Sequence, residues 1–568
     1  MTQIYSQELG RYQLDSLYTK FLQIRAPELL GQKYQPIPLS IEDRKCGFGI
    51  VNEVKSNFDN FTFEQRQILK QILYRPPDMQ KSIISPSGFF RVHFDTTNFN
   101  GNGIPSYVPG WSIDQNVSEV AKALDSAYNF EVNYIGFLPP PSDDVAGGDY
   151  RYDIYIINQS SQVYGYTEWE NKVGPVNWTS FMVIDNDYSG YYSPGLDGMK
   201  VTVAHEFHHG IQVGSYAIYD ANSPVRSADT FFYELTSTSM EEFVYDDVND
   251  YYSYMHSYFN STYKSFSDPT HSGYDMAIWN IYLVKIYDFQ ILKKQWELMP
   301  TQRAMYAISN SILDRNSNFA HDYNRFGIWT YYTGYRSIPN SPYFKEAENY
   351  PLIKPQSKIS YPQYTYANVY AYAASNNFIQ FGNTTNGDTL YAIVTNGDVS
   401  SLINDSSQTF PFTYTLFSDT LSGQRVLGDR YSANFEVANP VWWSVSEILN
   451  NILVREDSTQ NSIIEDKEIF IFPNPCFYSK IPEGGISISF KTKVGEEADL
   501  NVYSVGMQLL FSSVLKTNPI ITSDGKTFTG INWDGLDNNK NKLKSGVYIC
   551  VIKIGEDILK GKVVIFNE

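Results

Sequence analysis

The spacing of apolar and polar residues changes several times along this chain of 568 residues. In "TFEQRQILKQILYRPP" the apolar positions recur at the period of a helix, with a capping box of Thr62 and Gln65 at the start and Pro76 at the end. A short helix is therefore predicted there. Residues 1–87 around it are mixed and weakly patterned. We interpret them as either a removable pro-segment or a support for the domain that follows.

From Gly88 onward, strand-like and helix-like patterns alternate. The stretches that show these patterns are, in chain order, "GFFRVHFDT", "NVSEVAKALDSAYNFEVNYIGF", "YDIYIIN", "SFMVIDN" and "VTVAHEFHHGIQ". The second and last of these have helical periodicity, and the others are rich in β-forming residues. Further helical patterns continue to about residue 335. The mixture predicts an α+β domain over residues 88–350.

Beyond residue 350 the helical periodicity disappears. Short alternating runs such as "NFIQF" and "FTYTLF" are separated by Asn, Gly, Asp and Ser, which is typical of a β-sandwich. We predict one β-sandwich domain over residues 351–460 and a second β domain over residues 465–568. A polar linker, Arg455–Glu468, is predicted where the two meet.

Charge and hydropathy exclude some partners. The formal net charge of −19 opposes binding to nucleic acid, because that binding needs clustered Lys and Arg to release counterions. No apolar run approaches the roughly 20 residues of a membrane-spanning helix, and the first residues lack the pattern of a signal peptide. We expect either that an export signal has been removed or that the protein stays inside the cell.

The chain has three cysteines, Cys46, Cys476 and Cys550. They form no CxxC pair, which argues against a zinc cluster held by thiolates. Cys476 and Cys550 fall in the same predicted domain. Two buried free thiols are favoured there over a disulfide.

Three of the seven histidines fall within residues 201–212, "VTVAHEFHHGIQ". On a helix His205 and His209 lie one turn apart on the same face, so they can present two imidazoles to one ion. Zinc needs a third protein ligand and keeps a fourth position for a water of lowered pKa. Glu206 is placed to take the proton of that water and deliver it to a leaving amine. The alternative is an ordinary interior helix without metal. His208 does not fit the motif, and we expect it either to contact a metal-binding residue without binding the ion itself or to make surface contacts.

The third ligand must come from another element. The next predicted helix, "SADTFFYELTSTSMEEFVYDDV", carries Glu234, Glu241 and Glu242. Glu234 and Glu241 are seven positions apart and share a face, so spacing alone does not choose between them. Solvated surface carboxylates are the alternative for Glu241 and Glu242.

The HExxH segment followed by "FFYELTS" resembles the gluzincin metallopeptidases, whose second helix reads roughly W-x-x-E-G-x-A and supplies the third zinc ligand. The resemblance implies that Glu234 is this ligand, with Leu235 in place of the usual Gly. Residues 88–350 also resemble a group of secreted bacterial metalloproteases. The shared stretches are "YDIYIIN", "VYGYTE", "SFMVIDNDY", "HEFHHGIQ" and "FFYELTSTSMEEFVYDDVNDYY". The resemblance implies a zincin-like domain that acts on protein or peptide substrates.

A peptidase also needs a donor for the oxyanion. Gluzincins generally take a Tyr or a His from a later helix, and "DPTHSGYDMAIWNIYL" offers Tyr274 and His271, for which core or surface roles are the alternative. The strand "SFMVID" is expected to be either the sheet edge to which a substrate adds or an interior strand.

The stretch "EDRKCGFGI" places Cys46 beside basic residues, which favour the thiolate. Its R-x-C-G core resembles the latency segment of matrix metalloproteinases, in which a thiolate occupies the open zinc position. An ordinary buried cysteine is the alternative.

Two other segments suggest a structural calcium ion. Asp95–Pro105, "DTTNFNGNGIP", alternates oxygen-bearing side chains with glycines, and "YDDVNDYY" clusters Asp246, Asp247 and Asp250. Neither has the spacing of an EF-hand loop. Turns and solvated carboxylates are the alternative.

The last module has a second kinship. "FPNPC", "NVYSVGMQLL", "INWDGLDNNKNKLKSGVYICVI" and "KGKVVIF" resemble the Ig-like C-terminal domains of type IX secretion cargo and the related domain of the flagellar hook-capping protein. The resemblance covers residues 470–568. It implies export or attachment to the cell surface through this domain.

The sequence thus predicts a multidomain protein, an α+β zincin-like metallopeptidase domain followed by two β-sandwich domains. Our first hypothesis is a secreted or surface-attached zinc endopeptidase. The second is a surface adhesin or binding protein built on an inactive gluzincin scaffold, although the intact Glu206 argues against it. A third is a zinc hydrolase that acts on a non-peptide bond.

Overall fold

The computed structural model divides the chain into two compact units, residues 1–452 and 453–568. The domain boundaries expected near residues 88 and 351 fall within the first unit and stay predictions. The linker predicted at Arg455–Glu468 lies outside the described residues. The structure describes residues 9–30, 37, 39, 42–159, 163–219, 222–268, 271–360, 366–369, 372–382, 389–399, 409–420, 423–425, 431–436, 441–444, 469–472, 474, 476–481, 484–490, 492–504, 508–521, 527–555 and 557–567.

The protein is mixed α and β, and the described part of the first unit holds eleven α-helices. They are α1 (Arg11–Arg25), α2 (Phe48–Ser56), α3 (Phe63–Ile72), α4 (Ile113–Tyr128), α5 (Gly195–Ser215), α6 (Thr230–Val244), α7 (His256–Asn260), α8 (Ala277–Ile286), α9 (Gln290–Leu298), α10 (Ala304–Leu313) and α11 (Phe319–Tyr331). Of the helices in these described ranges, none is both long and apolar enough to cross a membrane.

Local sequence signals explain two of these helices. The short helix predicted before Pro76 is α3, and its capping box is confirmed, because Thr62 and Gln65 exchange hydrogen bonds of 3.1 and 3.2 Å. The helical stretch predicted around residues 116–137 is α4. It continues as a π-helical segment, Asn129–Ile135, and stops at Gly136, whose φ of 90° is readily adopted only by glycine.

A five-stranded sheet precedes α5. Its strands are β1 (Lys81–Ile84), β2 (Phe90–Phe94), β3 (Tyr152–Ile156), β4 (Gly165–Gly174) and β5 (Asn177–Ile184). Their spatial order is β1-β2-β3-β5-β4, with β2, β3 and β5 parallel and β4 antiparallel to β5. The predicted strand "SFMVID" belongs to β5, so its interpretation as a sheet edge is wrong and the interior interpretation is confirmed. The tight β4–β5 hairpin places β4 on the outside.

Helices α5 and α6 lie in the interior of this unit. α5 packs on β4, β5, α4 and α6. Every residue from Val201 to Ser215 in α5, and from Phe231 to Glu242 in α6, is buried. Polar side chains on both helices therefore need partners inside the protein, because a buried polar group without one is costly.

The described elements between residues 357 and 444 are all strands. They are β6 (Ser357–Ser360), β7 (Tyr366–Val369), β8 (Ser375–Gly382), β9 (Thr389–Asn396), β10 (Thr409–Thr420), β11 (Gly423–Arg425), β12 (Tyr431–Glu436) and β13 (Val441–Ser444). One sheet has the order β11-β10-β9-β8-β6 with β12 on β10, and β7 pairs with β13. Phe378 and Ile393 share a hydrophobic core with Phe326 of α11. A separate sandwich domain here stays a prediction.

The second unit contains two sheets. Its strands are β14 (Phe470–Phe472), β15 (Cys476–Phe477), β16 (Ile486–Ser489), β17 (Glu497–Ser504), β18 (Leu509–Lys516), β19 (Asn518–Ile521), β20 (Thr527–Trp533), β21 (Gly546–Ile554) and β22 (Asp557–Phe566). The sheet orders are β14-β16-β20-β19 and β15-β22-β21-β17-β18. Side chains of both sheets form one core, as in a β-sandwich. Cys476 and Cys550 are buried and free, so the expectation of two free thiols is confirmed.

Candidate metal centre

The two histidines of the HExxH motif converge on one carboxylate of α6. The Nε2 atoms of His205 and His209 lie 3.2 and 3.3 Å from Glu234 Oε2. A tetrahedral ion with bonds of about 2.0–2.1 Å separates its ligand atoms by about 3.3–3.4 Å, so the spacing suits zinc. All three side chains are buried. The residues predicted as zinc ligands are thus brought together.

The other ring nitrogen of each histidine is held by a fixed partner. His205 Nδ1 lies 2.7 Å from Glu241 Oε1, and His209 Nδ1 lies 2.7 Å from Gln212 Oε1. Oxygen acceptors at these positions favour a proton on Nδ1 and leave Nε2 free to bind a metal. His209 Nε2 is buried, and its 3.3 Å contact with Glu234 Oε2 lacks the angle of a hydrogen bond. Both imidazoles are therefore oriented toward the same point.

Glu241 is completely buried, so the interpretation of it as a surface carboxylate is wrong. Glu242, at 8% exposure, is also buried. Besides His205, Glu241 contacts Lys45, whose Nζ lies 2.8 Å from Glu241 Oε2 and 2.7 Å from Asp250 Oδ2. Sequence reasoning missed this role. The available signal was the seven-residue spacing, which puts Glu241 on the same helix face as the ligand Glu234.

Glu206 belongs to α5, and its side chain contacts β4. Thr167 of β4 donates its hydroxyl to the Glu206 carboxylate at 2.9 Å and is 2.7 Å from the Glu206 backbone oxygen. Burial raises the pKa of Glu206, and the nearby His209 and His205 oppose this rise. Thr167 was also missed, and only its place in the stretch "VYGYTE" pointed to it. The result is a buried carboxylate held in one orientation beside the predicted ligands.

Cys46 completes the group. Its Sγ and one atom from each of the three predicted ligands all lie within 4.8 Å of one another. Its Sγ accepts a hydrogen bond from Phe48 N at 3.2 Å. Burial, together with the negative charges of Glu206 and Glu234, raises the pKa of Cys46 well above its ordinary value. The sequence-based latency hypothesis stays a prediction, but its cysteine lies at the site.

The electrostatics of this pocket favour a cation. Burial opposes protonation of His205, yet hydrogen bonds with Glu234 and Glu241 raise its pKa to about 9. Burial also disfavours the charged form of Glu234, but His209 and His205 lower the pKa of Glu234 to about 2. The carboxylates therefore favour positive charge at the point where the ligand atoms meet. A divalent ion supplies such charge directly.

The two oxyanion candidates occupy different positions. The ring of Tyr274 stacks on that of His205 with centroids 5.9 Å apart, and burial together with the negative charge of Glu234 raises the pKa of Tyr274 well above its ordinary value. His271 Nδ1 instead lies 2.7 Å from Asp275 Oδ2. Within the described ranges we find no hydrogen bond or ring contact between His271 and a predicted ligand. Tyr274 is thus part of the site, and His271 lies outside it.

The remaining histidine of the cluster has a structural partner. His208 is fully buried, and its Nδ1 lies 2.7 Å from Glu131 Oε2. Burial lowers the pKa of His208 and raises that of Glu131, which favours a neutral pair. The surface interpretation of His208 is therefore wrong.

The calcium segments are largely engaged by protein groups. Asp95 accepts hydrogen bonds from the Gln80 backbone and from the side-chain amides of Asn100 and Asn102, and Asp250 pairs with Lys45. Asp246 of the second segment lies in a group of three carboxylates within 4.8 Å of one another, and the other two members are Glu242 and Glu346. A structural calcium ion stays a prediction.

Comparison with known proteins adds little. No protein-family model matches the chain, and no curated protein does. One solved structure that matches is that of PorZ, an essential bacterial surface component of the type-IX secretion system of Porphyromonas gingivalis. The match has 10% sequence identity and a TM-score of 0.13, and it covers 34% of this chain and 39% of PorZ. A likeness this slight carries no argument about fold or function.

Proposed function

We propose that this protein is a zinc-dependent endopeptidase with His205, His209 and Glu234 as the zinc ligands. The observation that carries the proposal is the convergence of two imidazole nitrogens and one carboxylate oxygen at 3.2 and 3.3 Å on two buried helices. Two imidazoles and one carboxylate form a donor set used by catalytic zinc sites. Zinc bound there polarises the substrate carbonyl and lowers the pKa of a water molecule.

Glu206 is the general base in this proposal. It is adjacent to the ligands and is oriented by Thr167 at 2.9 Å. Because burial raises its pKa, its carboxyl can hold a proton long enough to pass it from the attacking water to the leaving amine. Tyr274 is the oxyanion donor, since its ring stacks on that of His205 and its hydroxyl can donate to a developing negative charge.

The substrate lies along β4 in this proposal. β4 is the outer strand of its sheet, and an extended peptide can add to such an edge through backbone hydrogen bonds. The strand also runs close to the base, because a Cβ built on Gly165 would lie 3.3 Å from Glu206 Cγ. An added peptide strand would therefore pass the proposed base, as cleavage within a chain requires. Secretion and surface attachment through the second unit are parts of the proposal that rest on sequence resemblance.

Zinc content and casein cleavage test this function. Because the Cys46 thiol lies against the ligand atoms, the test uses the full chain both as wild type and as Cys46→Ala, each with and without Glu206→Gln. The matched control is Glu242→Gln, whose carboxyl is buried outside the group. Burial raises the pKa of Glu242 to about 9, so the amide keeps its neutral state. We expect every chain in the set to bind one zinc ion. Among the glutamine variants, only Glu206→Gln should reduce cleavage, by about 10²–10⁴-fold relative to its parent.

Two results would contradict the proposal. If Glu206→Gln cleaves casein as fast as its parent, Glu206 is not the base. If zinc is bound but neither wild type nor Cys46→Ala cleaves casein, the binding protein on an inactive scaffold is the better account.

A further inference from the structure

We infer that residues 44–48 are a built-in inhibitor of the metal centre, with the Cys46 sulfur as the fourth ligand of the ion. The inference rests on the proposed zinc site and adds its regulation. Three independent features of the segment support it: the position of the sulfur, the backbone pairing of the segment with β4, and the burial of Lys45.

The sulfur occupies the place that the reaction needs for water. A water on the ion would contact the three ligand atoms and the general base. Cys46 Sγ lies within 4.8 Å of a ligand atom from each predicted ligand. The buried His209 Nε2 atom is part of the same group. A sulfur, two nitrogens and one oxygen complete a four-coordinate zinc site.

Metal ligation by a cysteine releases the thiol proton, which passes to solvent when the ion binds. The sulfur then fills the position that the attacking water needs.

The backbone of the segment pairs with the start of the edge strand. Cys46 pairs with Gly165 as an isolated parallel bridge, Gly47 N donates to Gly165 O at 3.0 Å, and Tyr164 N donates to Arg44 O at 3.2 Å. These bonds lie on the outer side of β4 at its first residue, which is also close to Glu206. The pairing therefore fixes the cysteine beside the proposed base. Phe48 then stacks on the His209 ring at a centroid distance of 3.9 Å.

Lys45 ties the segment to the same site. Its side chain is 1% exposed and forms ion pairs with Glu241 at 2.8 Å and Asp250 at 2.7 Å. Glu241 is the carboxylate that orients His205. Removal of one partner from a buried ion pair leaves an uncompensated charge, so the segment does not leave without a large cost. The ion pairs consequently hold the Cys46 sulfur at the centre.

X-ray absorption at the zinc edge tests the fourth ligand on the zinc-loaded full chain. We expect a sulfur shell at about 2.3 Å beside nitrogen and oxygen at about 2.0–2.1 Å in the wild type. In Cys46→Ala the sulfur shell should be absent and the metal content unchanged. Cys476→Ala, which removes a buried thiol from the other unit, should keep the shell. A wild-type spectrum with nitrogen and oxygen only would overturn the inference without the need for any variant.

A small hydroxamate tests whether the position is blocked. This chelating group binds through two oxygens on the open side of the ion, and it requires neither cleavage nor the edge strand. We expect the zinc-loaded Cys46→Ala chain to bind acetohydroxamate at least ten-fold tighter than the wild type or Cys476→Ala. Equal affinities in all three chains would overturn the block.

These readouts separate the two proposals. A chain that binds no zinc contradicts the proposed function and the inhibitor together. Zinc bound without sulfur, with cleavage by the wild type, contradicts the inhibitor alone. A sulfur shell in the wild type together with tighter hydroxamate binding in Cys46→Ala supports the fourth ligand. If no chain cleaves casein, the same results contradict the peptidase.

Discussion

Replacement of Glu241 by glutamine tests how the centre is built, because Glu241 touches a ligand without being one. Its Oε1 lies 2.7 Å from His205 Nδ1. The amide keeps an acceptor for this hydrogen bond but removes one negative charge. A zinc ion of charge +2 about 6.5 Å from the carboxylate interacts with that charge by about 5 kcal/mol at an effective dielectric constant of about 20. Lys45, 2.8 Å from the other oxygen, offsets part of this energy.

The expected loss of zinc affinity is therefore about 10–100-fold, or about 1.4–2.8 kcal/mol. Competition with a chromophoric chelator measures the zinc dissociation constant of each full chain. The matched control is Glu242→Gln, the neighbouring residue on α6. It is also buried, but it makes no contact with His205 among the described interactions.

Two results would refute this reasoning. If Glu241→Gln binds zinc as tightly as the wild type, Glu241 does not support the ligand. If Glu241→Gln and Glu242→Gln lose affinity equally, the effect belongs to any buried carboxylate on α6. Thermal melts of the zinc-free chains show whether either variant is unfolded before zinc is added.

Four further predictions concern stability and rate. Lys45→Met should lower the free energy of unfolding by about 3–5 kcal/mol in urea melts, because two carboxylates lose their buried cation; a loss below 1 kcal/mol would contradict this. Gly273→Ala combines a φ of 99° with a Cβ 2.1 Å from the Phe231 carbonyl oxygen, so it should cost more than Gly110→Ala, which at a φ of 90° meets no atom within 4 Å; equal melting temperatures would refute the clash. Chelation of zinc present at 100 times its dissociation constant should remove about 2.7 kcal/mol of stability, and an unchanged urea midpoint would speak against the site. In the Cys46→Ala chain, Thr167→Val should slow casein cleavage about tenfold at an unchanged zinc content, and a normal rate would mean that Thr167 does not orient the base.

Periodic features of the sequence predicted the elements that carry the site. The apolar flanks of the HExxH motif indicated α5, and the three-residue offset between Thr62 and Gln65 indicated the start of α3. These signals are local, because a helix or a cap is decided by residues a few positions apart. The pairing of His205 and His209 on one face follows from the same helical period.

Long-range partners were beyond such patterns. Lys45 and Glu241 are in contact although they lie 196 positions apart in the sequence, and no local pattern around either residue predicts this contact. The helical period can distinguish an inner face from an outer face, but both faces of α6 are buried in this protein. The burial of Glu241 was therefore not predicted. The place of β5 was open for a related reason. Alternation identifies a strand, but strand order depends on the hairpin that puts β4 outside it.

The central claim is that two imidazole nitrogens and one carboxylate oxygen share a single zinc ion. Anomalous diffraction at the zinc edge from crystals of the zinc-loaded full chain tests it most directly. We predict one strong anomalous peak within bonding distance of His205 Nε2, His209 Nε2 and Glu234 Oε2. A peak elsewhere in the chain, or none in crystals of protein loaded with zinc, would contradict the account.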